Sequence, residues 1–320
     1  MDLKSRYRGS ILGMASGDAM GSAFEFISRD EVLEIIEDMA GGGCFDWKPG
    51  QWTDDTAMAV CLGASLINCR GFDLKDQIER YCQWYQNSFD IRTALGLEKD
   101  GNGSGSIIPC RDIGNTTREA LDNYLYSGDP ESGSSDPMTS GNGSIMRLAP
   151  VPLFYRKNPQ LAVKFGGESS LTTHGSAECI DACRLLSAVI VKALKGLSKK
   201  DILAVDPSIF SSPKIAMTAK GGYQIKTMDQ IKGSGYVAES LEAALWCFYT
   251  TDTFETAIIQ AIRLGDDTDT TAAITGQIAG AYYGAGSIPQ KWLSKLWFTA
   301  ELEYLADQLM GEGKGEGMHQ

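Results

Sequence analysis

The feature that most constrains this chain is an acidic run placed directly before a segment of small residues. Residues 265–270 read Gly-Asp-Asp-Thr-Asp-Thr, and residues 271–284 continue mainly with alanine, glycine and isoleucine. The small residues predict a buried helix that its neighbours approach closely. A helix cap needs one Asp or Thr and stabilises the helix by about 1 kcal/mol. Three carboxylates beside a buried helix repel one another, so the run favours a metal site, with an acidic cap as the alternative.

The same pattern occurs far upstream in the chain. Thr53, Asp54, Asp55 and Thr56 precede a run of small apolar residues that ends at Ala64. Two acidic helix starts in one chain predict one shared site. Carboxylate and hydroxyl oxygens without clustered His or Cys favour Mg²⁺ or Mn²⁺ over zinc. Two acidic arms are also consistent with a site that holds two metal ions about 3.5–4 Å apart.

Net charge and hydropathy exclude several classes of partner. The chain has 41 acidic and 29 basic residues, a net charge of −12, which argues against broad binding to nucleic acids or anionic membranes. No apolar run approaches the roughly 18 residues of a membrane-spanning helix, and the N-terminus lacks the apolar core of a signal peptide. We therefore expect a cytoplasmic protein without a membrane partner.

Glycines recur every four residues near the N-terminus, at Gly9, Gly13, Gly17 and Gly21. This spacing places them on one helix face, where another helix can pack at close range. Each glycine weakens a helix by roughly 1 kcal/mol, so close packing or a ligand is expected to compensate. Glu25 follows this segment between two phenylalanines. It is either a solvent-facing loop residue or a third arm of the acidic site, and the residues alone leave both interpretations open.

Helical periodicity dominates the chain, and no run of alternating strands is visible. We predict an all-α fold, a single domain over residues 1–310 with roughly a dozen helices around a buried central pair. The predicted helices include 29–40, 73–88 and 178–195. Residues 96–144 are dense in Gly, Ser, Asn and Asp and predict substrate loops. Residues 311–320 predict a disordered tail.

One glycine-rich segment, residues 140–147, reads Ser-Gly-Asn-Gly-Ser-Ile-Met-Arg. Glycines that enter a helix expose backbone N–H groups to an anion, typically phosphate. This segment matches neither the Walker nor the Rossmann pattern, so by itself it is a weak signal. His174 is the only histidine in the region expected to fold. A lone histidine is more often structural than catalytic, and both roles stay open on these residues alone.

Together these motifs resemble those of the ADP-ribosylglycohydrolase family. In chain order they are Glu25 after the glycine-rich helix, then segments 52–56, 112–117, 141–147, 173–174, 235–246 and 265–270. They extend from residue 9 to about residue 284, nearly the whole chain. The resemblance is closest to the dinitrogenase-reductase-activating branch, which acts on ADP-ribosyl-arginine.

The resemblance implies an all-α fold with a dinuclear Mg²⁺ or Mn²⁺ centre at helix N-termini. The residues that match the family's metal ligands are Thr53, Asp54, Asp55, Asp267, Asp269 and Thr270, with Glu25 at the same centre. Those that match its substrate-binding residues are Asn142, Gly143, Ser144, Ile145 and Met146 for the diphosphate, His174 for the ADP-ribose and Tyr236 near the nucleotide. Asp266 stands where a glycine is common and would add negative field rather than a ligand.

The implied reaction is hydrolysis of the N-glycosidic bond between ADP-ribose and an arginine side chain of a modified protein. Two cations can hold the ribose hydroxyls and polarise a water molecule. Asp112, Glu25 or Asp55 can take a proton from that water or give one to the leaving guanidine, since such bonds break through an oxocarbenium-like state. The sequence leaves open which carboxylate has which role.

Other functions are compatible with the same site. The linkage could be to serine, to the acetyl group of O-acetyl-ADP-ribose or to a nucleic acid base, and the acidic charge argues against the last. A different class of function is a non-catalytic ADP-ribose binder, or an immunity protein that blocks a toxin ADP-ribosyltransferase. Both acidic arms are complete, which favours catalysis because a binder needs no cluster of repelling carboxylates.

Overall fold

A computed structural model describes residues 1–32, 36, 38–98 and 106–312 of the chain. Within these ranges the chain forms fifteen α-helices, several short 3-10 turns and four isolated β-bridges. The helices are α1 (Leu3–Gly21), α2 (Asp54–Cys69), α3 (Leu74–Tyr85), α4 (Ile91–Ala94), α5 (Asn115–Ser127), α6 (Pro150–Phe154), α7 (Pro159–Ser169), α8 (Ala177–Leu194), α9 (Lys199–Leu203), α10 (Pro213–Ala219), α11 (Val237–Thr250), α12 (Phe254–Ile262), α13 (Thr268–Tyr283), α14 (Gln290–Leu293) and α15 (Thr299–Glu312). The prediction of an all-α fold is confirmed.

Helices α1 and α13 form the most extensive helix pair of the fold, and they run antiparallel. The glycines Gly9, Gly13, Gly17 and Gly21 of α1 face the backbone of Gly280, Gly276, Ala272 and Asp269 on or near α13. A Cβ atom on any of these four glycines would lie less than 3.0 Å from a backbone atom of α13. The packing explains the spacing of four, and it places the C-terminal end of α1 beside the acidic N-terminus of α13.

Helix α2 is fixed to α1 by a buried carboxylate. Asp18 accepts hydrogen bonds from the backbone N–H of Thr53 at 2.9 Å and from that of Thr56 at 3.0 Å. The hydroxyl of Thr56 also donates to Asp18, at 2.5 Å. These bonds satisfy N–H groups that have no partner within the helix. Because α1 contacts both α2 and α13, the two acidic helix starts meet at its C-terminal end.

The predicted helix over residues 29–40 is wrong for the described residues 29–32, 36 and 38–40, which form turns and bends. Residues 33–35 and 37 of that range lie outside the description. The guanidinium of Arg29 donates to the carbonyl oxygens of Leu264 and Met228, so this turn is tied to the end of α12 and to a 3-10 turn. Its apolar side chains, including Val32 and Met39, are buried without a helix. The spacing of Val32, Ile36 and Met39, which resembled one face of a helix, therefore reflects burial of these side chains outside a helix.

The C-terminal helix extends further than the sequence indicated. Helix α15 ends at Glu312, two residues into the segment predicted as a tail, and residues 313–320 of that segment lie outside the description. The predicted loop region 96–144 contains α5, and its residues 99–105 are likewise outside the description. None of the described helices combines the length and apolarity needed to cross a membrane.

Candidate active site

A cleft of about 280 Å³ opens where the starts of α2 and α13 meet the glycine-rich segment. We call one side of it the acidic floor, which consists of Glu25, Asp54, Asp55, Asp112, Asp267, Asp269 and Thr270. We call the other side the glycine wall, which consists of residues 141–146, His174 and Gly235. Ten of the predicted site residues line the cleft: Glu25, Asp54, Asp112, Asn142, Gly143, Met146, His174, Asp267, Asp269 and Thr270.

The carboxylates of the acidic floor are close together and incompletely bonded. Oxygens of Glu25, Asp112 and Asp269 lie within 4.8 Å of one another. One carboxylate oxygen each of Glu25, Asp55 and Asp269 is buried with no hydrogen-bond partner in the described part of the chain. Buried carboxylate oxygens without partners are costly, and a cation is the partner that suits several of them at once. An all-oxygen donor set fits a hard divalent ion such as Mg²⁺ or Mn²⁺.

Burial and mutual repulsion raise the pKa values across the floor. Burial, followed by the charges of neighbouring carboxylates, raises the pKa of Asp54, Asp55 and Asp269 well above the usual range. Burial and the charge of Asp112 raise the pKa of Glu25 to about 10, and burial raises that of Asp112 to about 6. A divalent cation acts in the opposite direction, because its charge favours the ionised form. The floor is thus unfavourable as a set of free anions and favourable as a cation site.

Three residues of the floor and its rim adopt the left-handed backbone region that side chains other than glycine rarely occupy. The φ angles are +64° at Phe26, +58° at Asp112 and +60° at Asp266. Such conformations cost on the order of 1–3 kcal/mol each and cluster at functional sites. The N–H of Phe26 donates to the carbonyl oxygen of Asp266, and the N–H of Asp266 donates to the carbonyl oxygen of Ile27, both at 2.8 Å. This pair of bonds joins the loop that carries Glu25 to the turn before α13.

Asp55 and Thr53 lie behind the cleft rather than in its lining. Asp55 is fully buried, and the hydroxyl of Thr270 donates to its Oδ1 at 3.3 Å, which links the starts of α2 and α13. Thr53 is the N-cap of α2, and its Oγ1 accepts from the N–H of Asp55 at 3.4 Å. The geometry therefore brings the two acidic arms into one cluster.

Sequence reasoning missed Asp18 as part of this cluster. Its carboxylate is fully buried and orients the first turn of α2 through Thr53 and Thr56. Burial raises the pKa of Asp18 to about 6, against hydrogen bonds that lower it. The available signal was an isolated Asp within residues 9–21 of α1, where the other residues are small or apolar. Asn115, Thr116 and Thr117, which also line the cleft, belong to a motif that supported the family resemblance but were assigned no role.

Asn142 joins the glycine wall to the acidic floor. Its Nδ2 donates to Oδ2 of Asp267 at 2.8 Å and to the hydroxyl of Ser240 at 3.2 Å. Its backbone N–H donates to the carbonyl of Gly235 at 3.0 Å. A rotation of this amide would break contacts on both sides, so its orientation is fixed by the fold.

His174 is buried against the glycines of the wall. Its Nδ1 lies 2.8 Å from the hydroxyl of Thr173, and a Cβ atom on Gly143 would lie 2.6 Å from its Cε1. Burial, with a smaller effect of the Arg147 charge, lowers the pKa of His174 to about 3. The imidazole is therefore neutral at physiological pH, and it can serve as a hydrogen-bond donor or acceptor but not as a cation.

The side chains of the remaining predicted substrate residues, Ser144, Ile145 and Tyr236, do not line the cleft. The Ser144 hydroxyl accepts from the Cys183 thiol at 3.4 Å, and Ile145 is fully buried in the core. The hydroxyl of Tyr236 bonds to Glu178 and Lys214 beside the cleft. Tyr236 also pairs with Gly141 in an isolated antiparallel bridge, which fixes the wall against the start of α11.

Comparison with known proteins identifies the group to which this fold and site belong. The family model described as ADP-ribosylglycohydrolase matches residues 1–317. The chain belongs to the ADP-ribosylglycohydrolase family. A solved structure described as an "ADP-ribosylglycohydrolase-related protein complex" matches this glycohydrolase with a TM-score of 0.83 at 36% identity, over 98% of this chain and 99% of the other.

Two characterised relatives of this glycohydrolase carry names that specify a reaction. The ADP-ribosylarginine hydrolase Tri1 of Serratia proteamaculans is 40% identical over 303 residues, covering 94% of this chain and 78% of the relative. The ADP-ribosyl-[dinitrogen reductase] glycohydrolase of Rhodospirillum rubrum is 30% identical over 303 residues, covering 93% of this chain and 92% of the relative. The family membership predicted from the motifs is confirmed.

Proposed function

We propose that this chain hydrolyses the N-glycosidic bond between ADP-ribose and an arginine side chain of a modified protein, reversing mono-ADP-ribosylation. The observation that carries the proposal is the cleft itself, where Glu25 and Asp269 carry buried carboxylate oxygens without a partner in the described chain, opposite the glycine wall. Asp55, directly behind this lining, carries a third such oxygen. Similarity to hydrolases named for ADP-ribosylarginine supports arginine as the linkage. The catalytic unit would be residues 1–310, with its substrate loops within residues 96–144.

The acidic floor would hold two Mg²⁺ or Mn²⁺ ions. The residues assigned to them are Thr53, Asp54, Asp55, Asp267, Asp269 and Thr270, with Glu25 at the same centre. When bound, such ions polarise a water molecule and the hydroxyls of the ribose. Asp18 keeps the first turn of α2 in place beneath them, and Asn142 orients the carboxylate of Asp267.

Asp112 would transfer the proton. Its carboxyl group lies at the cleft, near Glu25 and Asp269, on a backbone held in the left-handed region. In the protein without ions, burial raises the pKa of Asp112 to about 6, the direction that suits a group which accepts and releases a proton near neutral pH. Bound cations would act in the opposite direction. Asp112 would take a proton from the attacking water or give one to the departing guanidine. Glu25 and Asp55 remain the alternative groups for this role.

The glycine wall would bind the nucleotide end of the substrate. Among the described residues, no hydrogen bond is made by the backbone N–H groups of Gly143 and Ser144, and these suit a diphosphate because glycines let the backbone approach an anion closely. The N–H groups of Asn142, Ile145 and Met146 already donate to carbonyl oxygens of the chain. His174 would contact the ADP-ribose, and Tyr236 would lie near the nucleotide. In this arrangement the wall holds the part of the substrate that does not react, and the floor acts on the distal ribose.

The deciding experiment measures release of free ADP-ribose from an arginine-ADP-ribosylated protein with Mg²⁺, with Mn²⁺ and with a chelator. We expect release with at least one ion and none with the chelator, and no release by Asp55→Ala under any condition. Release from serine-linked protein or O-acetyl-ADP-ribose alone would keep the site and change the linkage. Binding of ADP-ribose without release from any substrate would replace hydrolysis with a binding or immunity function.

A further inference from the structure

A buried arginine lies directly behind His174. Arg147 is 1% exposed, and in the described part of the chain its guanidinium contacts two hydroxyls, the sulfur of Met58 at 3.6 Å and an aromatic ring rather than a carboxylate. Its Nη2 donates to Oγ1 of Thr173 at 2.7 Å and to Oγ1 of Thr172 at 3.1 Å, and the ring centroid of Tyr81 lies 4.5 Å from its Cζ. The orientation of this cation is therefore fixed from several sides.

The arginine determines what the Thr173 hydroxyl can do. Thr173 is fully buried, and one lone pair of its Oγ1 already accepts from Arg147. The hydroxyl proton then has one acceptor nearby, Nδ1 of His174 at 2.8 Å. If Nδ1 carried the imidazole proton instead, the buried hydroxyl proton would have no acceptor in the described surroundings, which is unfavourable. Nδ1 is therefore the acceptor, and a neutral His174 carries its proton on Nε2.

The opposite edge of the imidazole faces the cleft. A Cβ atom on Gly141 would lie 3.3 Å from Nε2 of His174, and one on Gly143 would lie 3.1 Å from it. Two bonds to Ser170 hold the main chain of His174. The N–H of His174 donates to the carbonyl oxygen of Ser170 at 2.7 Å, and the Ser170 hydroxyl donates to the carbonyl oxygen of His174 at 2.6 Å. With the main chain and Nδ1 both fixed, the Nε2–H bond has one direction available, toward the glycine wall.

We propose that Arg147 and Thr173 are positioning residues that keep the His174 proton on Nε2, so that the ring donates a hydrogen bond to a phosphate or ribose oxygen of the bound nucleotide. The identity of the ligand rests on the proposed function, whereas the proton position is a property of the free protein. We call the hydrogen bonds from Arg147 through Thr173 to His174 the relay. The relay explains why an arginine without a carboxylate partner among the described residues is buried at this place, since Arg147 supplies the donor that orders the Thr173 hydroxyl. The two parts can be tested separately.

The proton position can be read from histidine nitrogen chemical shifts in ¹⁵N-histidine-labelled protein. The chain has two histidines, and the spectrum of a His319→Gln variant identifies the signals of His174. We expect the Nε2-protonated tautomer in the wild type and in Thr173→Ser, which keeps the hydroxyl. We expect a mixture or the other tautomer in Thr173→Val, which is close in shape but lacks the hydroxyl. A wild-type proton on Nδ1 would overturn the relay even if the valine variant failed to fold.

The effect on the ligand can be measured by calorimetric titration with ADP-ribose. We expect Thr173→Val to weaken binding about tenfold, the loss typical of one hydrogen bond to a charged or polar ligand, and Thr173→Ser to bind within about twofold of the wild type. Equal affinity in the valine and wild-type proteins, with the tautomer changed, would overturn the donor role. A wild-type protein with the Nε2 tautomer that binds no ADP-ribose would contradict the proposed function and leave the relay intact.

Discussion

The acidic floor and the glycine wall face each other across one cleft, yet they are built on opposite principles. On the floor, buried oxygens of Glu25, Asp55 and Asp269 have no hydrogen-bond partner in the described chain. On the wall, the amide of Asn142 and the imidazole of His174 are each bonded to neighbouring side chains. The floor is an arrangement that an external cation would complete, whereas the side chains of the wall are held by hydrogen bonds within the chain.

The pKa shifts of the two sides have opposite signs, although burial is the largest cause on both. Burial raises the pKa of the floor carboxylates, because it disfavours their negative form. It lowers the pKa of His174 to about 3, because it disfavours the positive form. Both sides therefore favour neutral groups in the absence of a ligand. Only the floor gathers enough acidic groups to make binding of a divalent cation the better solution.

The largest effect is expected from neutralising one floor carboxylate. Asp269→Asn should lower ADP-ribose release by about 10³-fold or more, because metal-ion stabilisation is worth several kcal/mol and each 1.36 kcal/mol is a factor of ten in rate. The unfolding midpoint in chelator should stay equal or rise, since a repelling charge has been removed. The exposed Asp122→Asn is the matched control and should keep wild-type turnover. A large loss of stability with the asparagine variant would reassign Asp269 to a structural role.

A smaller effect is expected where the wall meets the floor. Asn142→Asp replaces the amide that donates to Asp267 at 2.8 Å by a second carboxylate. Turnover or metal affinity should fall by about 10–100-fold, the range typical for residues that orient metal ligands. Kinetics at several Mn²⁺ concentrations measure both quantities. Asn123→Asp, on the exposed face of α5, adds the same charge away from the cleft and should have little effect. Equal behaviour of the two variants would disprove the coupling.

The glycine contact that brings the two acidic helix starts together should respond in stability. A Cβ atom on Gly280 would overlap the carbonyl oxygen of Gly9, so Gly280→Ala should lower the free energy of unfolding by about 1–3 kcal/mol. This loss would exceed the gain in helix propensity, about 1 kcal/mol. Gly286→Ala, where nothing lies within 4 Å, should change stability by less than about 0.5 kcal/mol. Denaturant unfolding measures the stability of both variants. A Gly280→Ala protein of wild-type stability would show that α1 and α13 can move apart without cost.

A further effect is a pH dependence of stability that arises from His174 on the wall. Above pH 6.5, His174 is neutral in the folded and unfolded states and contributes no pH dependence. As the pH falls from 6.5 to the folded pKa of about 3, His174 binds a proton in the unfolded state but not in the folded state. The free energy of unfolding therefore falls by up to about 1.4 kcal/mol per pH unit. His174→Gln should remove this part of the slope of unfolding free energy against pH. His319→Gln, in the predicted tail, should keep it, and identical slopes in all three proteins would show that His174 is protonated in the fold.

Local patterns in the sequence predicted the elements that carry the site. A helix start was expected at the acidic run of residues 53–56, and α2 begins there at Asp54, because Thr and Asp are good caps and small apolar residues follow. The glycine spacing predicted a close helix partner, which is α13. The cluster of acidic helix starts was expected because carboxylates of this density need a shared cation.

Other features depend on contacts that sequence patterns do not encode. Asp18 gained its role because α1 happens to place it against the first turn of α2. The relay from Arg147 to His174 joins residues that are distant in the chain, and no sequence pattern gave Thr173 a role of its own. The expected helix after Arg29 is wrong for the described residues, whose apolar members Val32, Ile36 and Met39 are buried outside any helix.

The most direct test of the contrast between floor and wall is equilibrium dialysis of metal-free protein against Mn²⁺, with free Mn²⁺ measured by electron paramagnetic resonance. The account predicts two ions per chain in the wild type, fewer in Asp269→Asn, and the wild-type number in Thr173→Val, whose change lies on the wall. A wild-type chain that binds no Mn²⁺ and is not protected by Mg²⁺ against thermal unfolding would contradict the claim that the floor is completed by cations.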